Sequence, residues 1–569
     1  MPNYLASLKA PEHAGICVNE VSVLVGGKAG DGINSAGAMV ARLLNHLGYR
    51  IYLSFDYPSL IRGGHNFAVI RGAEQGIGTC RNHVDFVLAL DEATLVRHRE
   101  KFTPGTVIIS NKDLVKNGGL GIPVKTILAE EKAPDIMGNS AIIGGFARAA
   151  GIGWDVVDAV FRAHIPKGAA LNLTVAKRAY DLPGPVRPVK RCNDAACPLV
   201  TGNEAIGLGL ILGGLDAYVS YPMTPSSGLL HFLAEQQERF GIQVVHPENE
   251  IAVILMALGF AYAGKRSAIG TSGGGFCLMA EGLSLAGQAE IPLVLVVSQR
   301  TGPSTGLPTY TGQSDLQFVL YAGQGEYPRL IVAPGDAEEA LFWSARAMNI
   351  AWKFQVPAFI LTDKTLSEGT YSIDPAAVHV PLVQRERSPL WDGIAPYRRY
   401  ADTPSGVSPL AFPGVKDAVV KVNSYAHDEA GITAEDAETM VLMTKKRMNK
   451  WEGLIEETRT DPCVVHYGTT GASTALLCWG STKGVCEEVA AMSGWRVVRP
   501  VVLAPFPVDQ VRKALEGVVR LIAVEENATA QLSALAERHG IIAGEKILRF
   551  DGRPFTVEDL AARIKESGT

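Results

Sequence analysis

The 569-residue sequence lacks the features that mark several protein classes. None of its eight cysteines forms a Cys-x-x-Cys pair, the close spacing that four-cysteine zinc and iron–sulfur sites usually use. No uninterrupted apolar run reaches the ~18 residues that a transmembrane helix needs. The formal net charge of −5 argues against a general binder of nucleic acid or of anionic membranes. The first residues contain no basic segment followed by an apolar one, so we expect no signal peptide and a cytoplasmic protein with thiols that are buried or free.

Apolar residues and glycine, by contrast, are abundant. The sequence is 47% hydrophobic and 20% charged and contains 60 glycines, a composition typical of an α/β protein with large buried cores. Its length suggests about three to four domains. From changes in composition we predict α/β domains at residues 1–182, 203–372 and 460–569, a proline-rich linker at 183–202, and an extended crossover followed by a charged helix at 373–459.

The central domain is predicted to contain a parallel sheet. Short apolar runs alternate with helical periodicity, and we place strands at residues 217–221, 267–270, 293–298, 329–333 and 356–362. In such a sheet the ligand is expected beyond the carboxyl ends of the strands. The search for a site therefore concentrates on the loops that follow these runs.

Three of those loops carry polar or glycine-rich sequence. Tyr221-Pro222-Met223-Thr224-Pro225-Ser226-Ser227 holds three aliphatic hydroxyls on a proline-stiffened loop, which suits an anionic group. Residues 271–275 provide flexible backbone at Gly273 and Gly274 for the close approach of a ligand. Residues 300–309 follow the most apolar strand. Arg300 in this loop could donate two parallel hydrogen bonds to a carboxylate. Together these loops predict a cofactor and substrate site.

Glu250 stands before a strongly apolar helix. A carboxylate in such a place suits thiamine chemistry. There it lies against N1′ of the aminopyrimidine, with which it can share a proton, and favours the imino tautomer. The ordinary alternative is that Pro247, Glu248 and Glu250 simply begin a helix, and on these residues alone that alternative is favoured. The neighbouring loops shift the balance towards a cofactor site.

Two glycine loops lie outside the central domain. Gly26–Gly32 would suit a dinucleotide, but Ser35 stands where the third glycine should be, so a tight turn is favoured. Gly30-Asp31-Gly32 resembles a diphosphate–magnesium motif, yet no asparagine follows at the required spacing and we reject it. Gly480–Gly484 is not a P-loop; Gly480, Ser481 and Lys483 could contact coenzyme A or a partner, and a plain turn is equally compatible.

These motifs, in this order, resemble the 2-oxoacid:ferredoxin oxidoreductases in the form where a gamma segment is fused ahead of the alpha segment. Residues 21–180, with Gly26–Gly32 and Arg62-Gly63-Gly64, are similar to the gamma domain. Residues 200–370 resemble the thiamine diphosphate pyrimidine-binding domain of alpha. Residues 396–400 and Val524-Glu525-Glu526-Asn527 also fit alpha, so the resemblance covers nearly the whole chain.

The resemblance implies roles for matched residues. Thr224, Arg300 and Thr309 would bind the 2-oxoacid, with Ser226 and Ser227 beside them. Glu250 would activate thiamine diphosphate, because the family's glutamate precedes an Ala-Gly step at a spacing that Ala263-Gly264 gives only to Glu250. The cofactor would also contact residues of the polar loops, namely Tyr221, Pro222, Gly273 and Gly274.

Two components of such an enzyme are absent from the sequence. It has no Gly-Asp-Gly…Asn metal motif with valid spacing and no iron–sulfur cysteine set, and in the resembled family the beta subunit carries both. The resemblance thus implies an (αβ)2 enzyme that shares thiamine diphosphate and Mg²⁺ between subunits, with a [4Fe-4S] cluster in beta. The implied reaction is coenzyme A-dependent oxidative decarboxylation of 2-oxoglutarate with ferredoxin, reversible as CO2 fixation.

Alternatives remain open at this point. Pyruvate and branched-chain 2-oxoacids are other possible substrates. A thiamine-independent oxidoreductase with a dinucleotide at Gly26–Gly32 is a competing enzyme hypothesis. From a different class, the chain could be a non-catalytic scaffold that recruits a catalytic subunit.

Overall fold

The computed structural model describes residues 19–58, 64–116, 118–184, 187–192, 195–374 and 386–567. Arg62 and Gly63 of the predicted polar turn lie outside these residues. The described chain forms two compact units. The smaller unit contains residues 19–200, 369–374 and 555–567, and the larger unit contains residues 201–368 and 386–554.

The smaller unit is built on an eight-stranded mixed sheet. In sheet order its strands are Leu120–Ile122, Phe102–Asn111, Val84–Ala89, Glu20–Lys28, His65–Ala73, Arg50–Asp56, Thr370–Ser372 and Leu199–Thr201. Its helices are Ile33–His46, Glu92–Arg97, Val124–Glu130, Gly138–Ala149, Trp154–His164, Ala169–Tyr180 and Val557–Ser567. The helix Ile33–His46 buries Val40, Leu43 and Leu44 completely, because apolar residues recur on one of its faces.

The larger unit begins with a seven-stranded sheet, here called the central sheet. In sheet order its strands are Val502–Ala504, Leu330–Val332, Pro357–Asp363, Leu293–Gln299, Ser267–Thr271, Ala217–Ser220 and Gln243–Val245. Every pairing is parallel except that of Val502–Ala504, a strand from the carboxyl-terminal part of the chain. The strands Leu293–Gln299 and Pro357–Asp363 are buried along their whole length, as expected for a parallel sheet covered on both faces.

The described residues of this part of the larger unit form ten helices. They are Gly202–Leu212, Ser227–Glu235, Gln237–Phe240, Glu250–Tyr262, Gly273–Phe276, Ala280–Gln288, Leu316–Tyr321, Ala337–Phe354, Lys364–Glu368 and Ala437–Thr458. The last of these is fixed by charge as well as by apolar packing. The ammonium groups of Lys446 and Lys450 both bind the carboxylate of Glu290, and all three side chains are buried.

A third sheet of five strands, here called the C-terminal sheet, completes the larger unit. In sheet order its strands are Val464–Gly468, Arg496–Pro500, Thr474–Leu477, Arg520–Glu525 and Glu545–Leu548. Its helices are Lys483–Ser493, Val508–Ala514 and Gln531–Glu537. Three sheets, two of them mainly parallel and flanked by helices, confirm the predicted multidomain α/β fold.

Candidate functional site

The loops singled out in the sequence meet at one edge of the central sheet. The four neighbouring strands Gln243–Val245, Ala217–Ser220, Ser267–Thr271 and Leu293–Gln299 are parallel, so their carboxyl ends lie at the same edge. The chain leaves Ala217–Ser220 for a strand on one side and then returns to a strand on the other. Such a reversal of direction is where α/β sheets bind ligands.

The first loop, Tyr221–Ser227, is a compact turn. Its Thr224–Pro225 peptide is cis, and the amide and hydroxyl of Ser226 both donate to the carbonyl of Met223, at 2.8 and 2.9 Å. The ring of Tyr221 makes an edge contact with His246 from the next loop, with 5.6 Å between ring centroids. The Ser226 hydroxyl is therefore engaged within its own loop, whereas Ser227 is the first residue of the helix Ser227–Glu235.

Glu250 is the first residue of the helix Glu250–Tyr262, and its side chain is buried. The side chain of Asn249 caps this helix by accepting from the Ala252 amide at 3.0 Å. Glu250 is only 5% exposed, whereas Glu248 is exposed. Among the described residues, no hydrogen-bond donor reaches the Glu250 carboxylate. A buried carboxylate without a partner is costly, and a bound ligand that donates a proton would satisfy it.

Gly275 forms a cradle beside Glu250. A Cβ placed on Gly275 would lie 2.9 Å from Oε1 of Glu250, and still closer to the hydroxyl of Thr271. A larger residue would therefore displace the carboxylate. Gly274, by contrast, has open space, with the Ser304 carbonyl 3.6 Å from the position of a Cβ.

Arg300 directly follows the strand Leu293–Gln299 and reaches back to the first loop. Its Nη1 donates to the carbonyl of Thr224 at 2.9 Å, which joins two of the predicted substrate residues. Its Nε is buried, and no acceptor in the described part of the chain reaches it. Burial lowers the pKa of the Arg300 guanidinium, and the charge of Asp315 opposes that shift.

Asp315 is a residue of this site that the sequence analysis missed. Its carboxylate lies over Gly273, so that a Cβ on that glycine would approach Oδ1 to 2.8 Å. Burial raises the pKa of Asp315 to about 6, and the nearby guanidinium of Arg300 partly offsets the rise. The sequence offered only a weak signal, an acidic residue ahead of the short helix Leu316–Tyr321.

Two buried hydroxyls at this edge also lack partners. Oγ of Ser272 and Oγ1 of Thr309 have no hydrogen bond to any described residue, and their residues are 0% and 5% exposed. Most buried polar atoms in folded proteins are satisfied, so such atoms indicate that a polar ligand completes the site. Thr309 was predicted from the sequence, and Ser272 was not.

The weakly predicted residues of the C-terminal domain have different surroundings. The ammonium of Lys483 binds the carboxylates of Asp336 and Glu339, at 2.9 Å from Oε1 of Glu339. Ser481 is buried, and Gly480 packs against the side chain of Gln313. The Oγ of Ser481 has no hydrogen bond to any described residue. A contact of these residues with coenzyme A or a partner stays a prediction, which the ion pairs of Lys483 and the contact of Gly480 with Gln313 do not favour.

The glycine loop of the smaller unit forms a tight turn. Gly32 adopts a left-handed conformation with φ of 72° at the start of the helix Ile33–His46. Nδ2 of Asn139 donates to the carbonyls of Asp31 and Gly32, at 2.7 and 3.3 Å, so a side chain of the protein itself covers the turn. No observation here favours a dinucleotide site.

The site suits one half of a thiamine diphosphate pocket. The unpartnered carboxylate of Glu250 in its glycine cradle fits the aminopyrimidine ring. The described residues contain no cluster of three or more His, Cys, Asp or Glu side chains that could hold a metal ion. No helix in the described ranges is long and apolar enough to cross a membrane.

Comparisons with known proteins agree with this geometry. Residues 208–446 match the family described as pyruvate flavodoxin/ferredoxin oxidoreductase, thiamine diP-binding, and residues 22–182 match pyruvate ferredoxin/flavodoxin oxidoreductase. The alpha subunit of 2-oxoacid:ferredoxin oxidoreductase 2 from Aeropyrum pernix is 31% identical and covers 96% of this chain and 98% of its own length. The corresponding alpha subunit from a Sulfolobus species is 30% identical over 95% of this chain and 96% of its own length.

A solved structure is similar over almost the whole chain. The 2-oxoglutarate:ferredoxin oxidoreductase from Magnetococcus marinus, with 2-oxoglutarate, coenzyme A and succinyl-CoA bound, superimposes with a TM-score of 0.87 at 28% identity. The match covers 97% of this chain and 100% of that one.

The fold and the matched thiamine diphosphate-binding region define a subunit of a thiamine-dependent enzyme. Within that class, the chain belongs to the alpha subunits of the 2-oxoacid:ferredoxin oxidoreductases.

Proposed function

We propose that this chain supplies the pyrimidine half of a thiamine diphosphate site in a coenzyme A-acylating enzyme that oxidatively decarboxylates 2-oxoglutarate. The carrying observation is Glu250, a buried carboxylate with no hydrogen-bond donor among the described residues and with Gly275 shaped around it. The cofactor, when bound, supplies a carbon nucleophile for the keto group and a sink for the electrons released with CO2.

The residues of the chain then have defined tasks. Glu250 shares a proton with N1′ of the aminopyrimidine, and its burial strengthens that hydrogen bond. The rings and backbone of Tyr221, Pro222, Gly273 and Gly274 line the cofactor. Their positions at the carboxyl ends of adjacent strands support this assignment.

Arg300 and the residues around it bind the substrate. Its guanidinium, already held by the Thr224 carbonyl, keeps a buried Nε free to donate to a substrate carboxylate. The unpartnered hydroxyl of Thr309 donates to the same substrate, and the hydroxyls of Thr224 and Ser227 lie on the facing loop. The hydroxyl of Ser226 supports the loop from within.

A partner subunit is expected against the helix Glu250–Tyr262. Ile251, Leu255 and Met256 lie on one face of this helix and are 48%, 44% and 46% exposed. Such a face next to an incomplete site suits a protein interface. We infer that a beta subunit covers it, brings the Mg²⁺-diphosphate clamp and a [4Fe-4S] cluster, passes electrons to ferredoxin, and assembles as (αβ)2.

The test uses the complex of this chain with its natural beta subunit. Glu250→Gln keeps the shape but removes the charge, and we expect coenzyme A-dependent reduction of ferredoxin to fall by about a hundredfold or more. Glu248→Gln, two residues away and exposed, is the matched control and should retain full activity. Full activity of the Glu250→Gln complex would overturn the assignment.

The identity of the substrate needs a separate measurement. We expect kcat/KM for 2-oxoglutarate to exceed the values for pyruvate and for 2-oxoisovalerate in the same complex. A higher value for either competitor would replace 2-oxoglutarate and leave the reaction type in place. Cofactor-loaded complex that turns over none of the three would favour a scaffold role for the chain.

A further inference from the structure

The C-terminal sheet carries no residue of the proposed active site, yet it contacts the segment that does. Residues 300–315, here called the substrate segment, contain Arg300, Thr309 and Asp315. The segment leaves the central sheet after the strand Leu293–Gln299 and has no regular helix or strand of its own. Something other than secondary structure must therefore hold it in place.

Gln313, near the end of the substrate segment, is completely buried and fully engaged. Its amide donates to the carbonyl of Glu526 at 2.8 Å, and its Oε1 accepts from the Glu526 amide at 3.0 Å. Its Nε2 donates to the carbonyl of Trp479 at 2.9 Å. One side chain and its backbone thus make three hydrogen bonds to the C-terminal domain.

The position of these contacts is informative. Trp479 follows the strand Thr474–Leu477, and Glu526 follows the strand Arg520–Glu525; the two strands are adjacent and parallel. Gln313 therefore occupies the carboxyl edge of the C-terminal sheet, the place where an α/β sheet ordinarily binds its ligand. Gly480, with φ of 55°, allows this approach, because a Cβ there would lie 3.0 Å from Nε2 of Gln313.

Further contacts to the C-terminal domain flank Gln313. Nε2 of Gln531 donates to the carbonyl of Ser314 at 2.8 Å, and its Oε1 accepts from the Gln317 amide at 3.0 Å. On the other side, the Thr311 amide donates to the Gly552 carbonyl at 3.2 Å. The guanidinium of Arg553 lies over the ring of Tyr310, 3.9 Å from its centroid.

We propose that the C-terminal domain acts as a template for substrate binding, which means that it fixes the conformation of the substrate segment. The carboxyl edge of its sheet binds Gln313 in the place where such an edge would otherwise bind a ligand. Gln313 and Gln531 are positioning residues that act through Arg300, Thr309 and Asp315. This inference rests on the proposed role of Arg300 and Thr309 in binding the 2-oxoacid. It also explains why Gly480 and Ser481 are buried against the rest of the chain.

The variants separate positioning from folding. Gln313→Met keeps the length of the side chain and removes its hydrogen bonds, and Gln531→Ala removes the neighbouring contact. Gln510→Ala is the control, because this residue of the C-terminal domain is only partly buried and makes a single 3.3 Å hydrogen bond to the Arg459 carbonyl. All three are assembled with the natural beta subunit and loaded with thiamine diphosphate.

For Gln313→Met and Gln531→Ala we expect KM for the 2-oxoacid to rise about tenfold. The Kd for thiamine diphosphate should stay within about twofold, because Glu250 and its cradle are untouched. Amide hydrogen exchange in peptides covering residues 300–315 should become faster in both variants and stay unchanged in Gln510→Ala. If KM and the Kd for thiamine diphosphate rose by the same factor, and exchange in those peptides did not become faster, the proposal would be wrong.

The two proposals fail in different ways. If the wild-type complex turns over no 2-oxoacid, the proposed function fails, and the exchange rates of residues 300–315 still decide whether Gln313 holds the segment. If the wild-type complex is active but the variants leave both KM and exchange unchanged, only the template proposal fails.

Discussion

The central and C-terminal sheets each present polar residues at the carboxyl ends of their strands, but the buried carboxylates at these two edges differ in their hydrogen bonds. At the central edge, the Glu250 carboxylate, the Ser272 and Thr309 hydroxyls and Nε of Arg300 lack partners among the described residues. At the C-terminal edge, the Glu525 carboxylate accepts four hydrogen bonds, from Trp479, Asn527 and the amides of Leu532 and Ser533. The Glu250 carboxylate at the central edge has no partner in the described part of the chain, whereas the chain itself satisfies the Glu525 carboxylate at the C-terminal edge. The hydroxyls of Ser481 and Ser533 at the C-terminal edge also lack hydrogen bonds to described residues, so the contrast concerns the carboxylates.

The difference shows how to distinguish a binding edge from a structural one. Both edges combine acidic, amide and hydroxyl residues after buried strands, so residue types alone do not separate them. The hydrogen bonding of the buried carboxylate does, because an unsatisfied buried carboxylate lowers stability and persists where function requires it. Substitutions at the central edge should therefore affect ligands more than folding, and those at the C-terminal edge should do the reverse.

The largest effect is expected at Glu525. Glu525→Gln removes a charge that two amides at the start of the helix Gln531–Glu537 and two side chains stabilise, and we expect a loss of about 3 kcal/mol in the free energy of unfolding. Urea unfolding of the full chain measures it, and exchange of the Leu532 and Ser533 amides localises it. Glu537→Gln is the control on the same helix, since its partly exposed ion pair with Lys546 should contribute less than about 1 kcal/mol. Equal losses in both variants would remove the distinction between the two edges.

A smaller effect is expected from the cradle at the central edge. Gly275→Ala places a methyl group 2.9 Å from Oε1 of Glu250 and should lower kcat about tenfold by displacing the carboxylate. Gly76→Ala is the control, because a methyl group on this glycine of the smaller unit meets no atom within 4 Å, and it should leave kcat unchanged. Comparable activities for the two variants would show that the position of Glu250 does not matter.

Thr309→Val tests the unpartnered hydroxyl. Because Oγ1 makes no hydrogen bond to the described residues, its removal should cost no stability and could add about 1 kcal/mol to the free energy of unfolding. The KM for the 2-oxoacid should rise about fivefold, as expected for the loss of about 1 kcal/mol of hydrogen bonding. Steady-state kinetics and thermal unfolding of the same preparation check both expectations. A destabilised variant with unchanged KM would show that Thr309 stabilises the fold and does not bind the substrate.

The sequence predicted the sheets and the site loops because their signals are local. Apolar runs followed by proline, glycine and hydroxyl residues indicated the strands around Tyr221 and Arg300, and the structure brings their loops to one edge. The resemblance to the family, and not a local signal, favoured Glu250 over Glu248, and burial agrees with that preference.

Other residues escaped the sequence analysis because their roles depend on distant contacts. Gln313 has no signal of its own, since its three bonds join residues more than a hundred positions away. Lys483 shows the opposite case: its glycine-rich surroundings allowed a contact with coenzyme A or a partner, but its ammonium binds the carboxylates of Asp336 and Glu339 from another element. Pairings between remote parts of the chain are what a single sequence does not reveal.

A pH-dependent effect on stability is expected from Asp315 at the central edge. Burial raises its pKa to about 6 in the folded protein, from about 4 in an unfolded chain. The folded state then holds the proton more tightly, so the contribution of Asp315 to stability falls as pH rises from about 4 to about 6 and is constant above that. Asp315→Asn cannot ionise, and its side chain makes no capping hydrogen bond that would be lost. The free energy of unfolding of the variant minus that of the wild type should therefore increase between pH 4 and 6 and stay constant from pH 6 to 8. A constant difference across the whole range would mean that Asp315 already has a partner, and that the central edge is less open than its other polar atoms indicate.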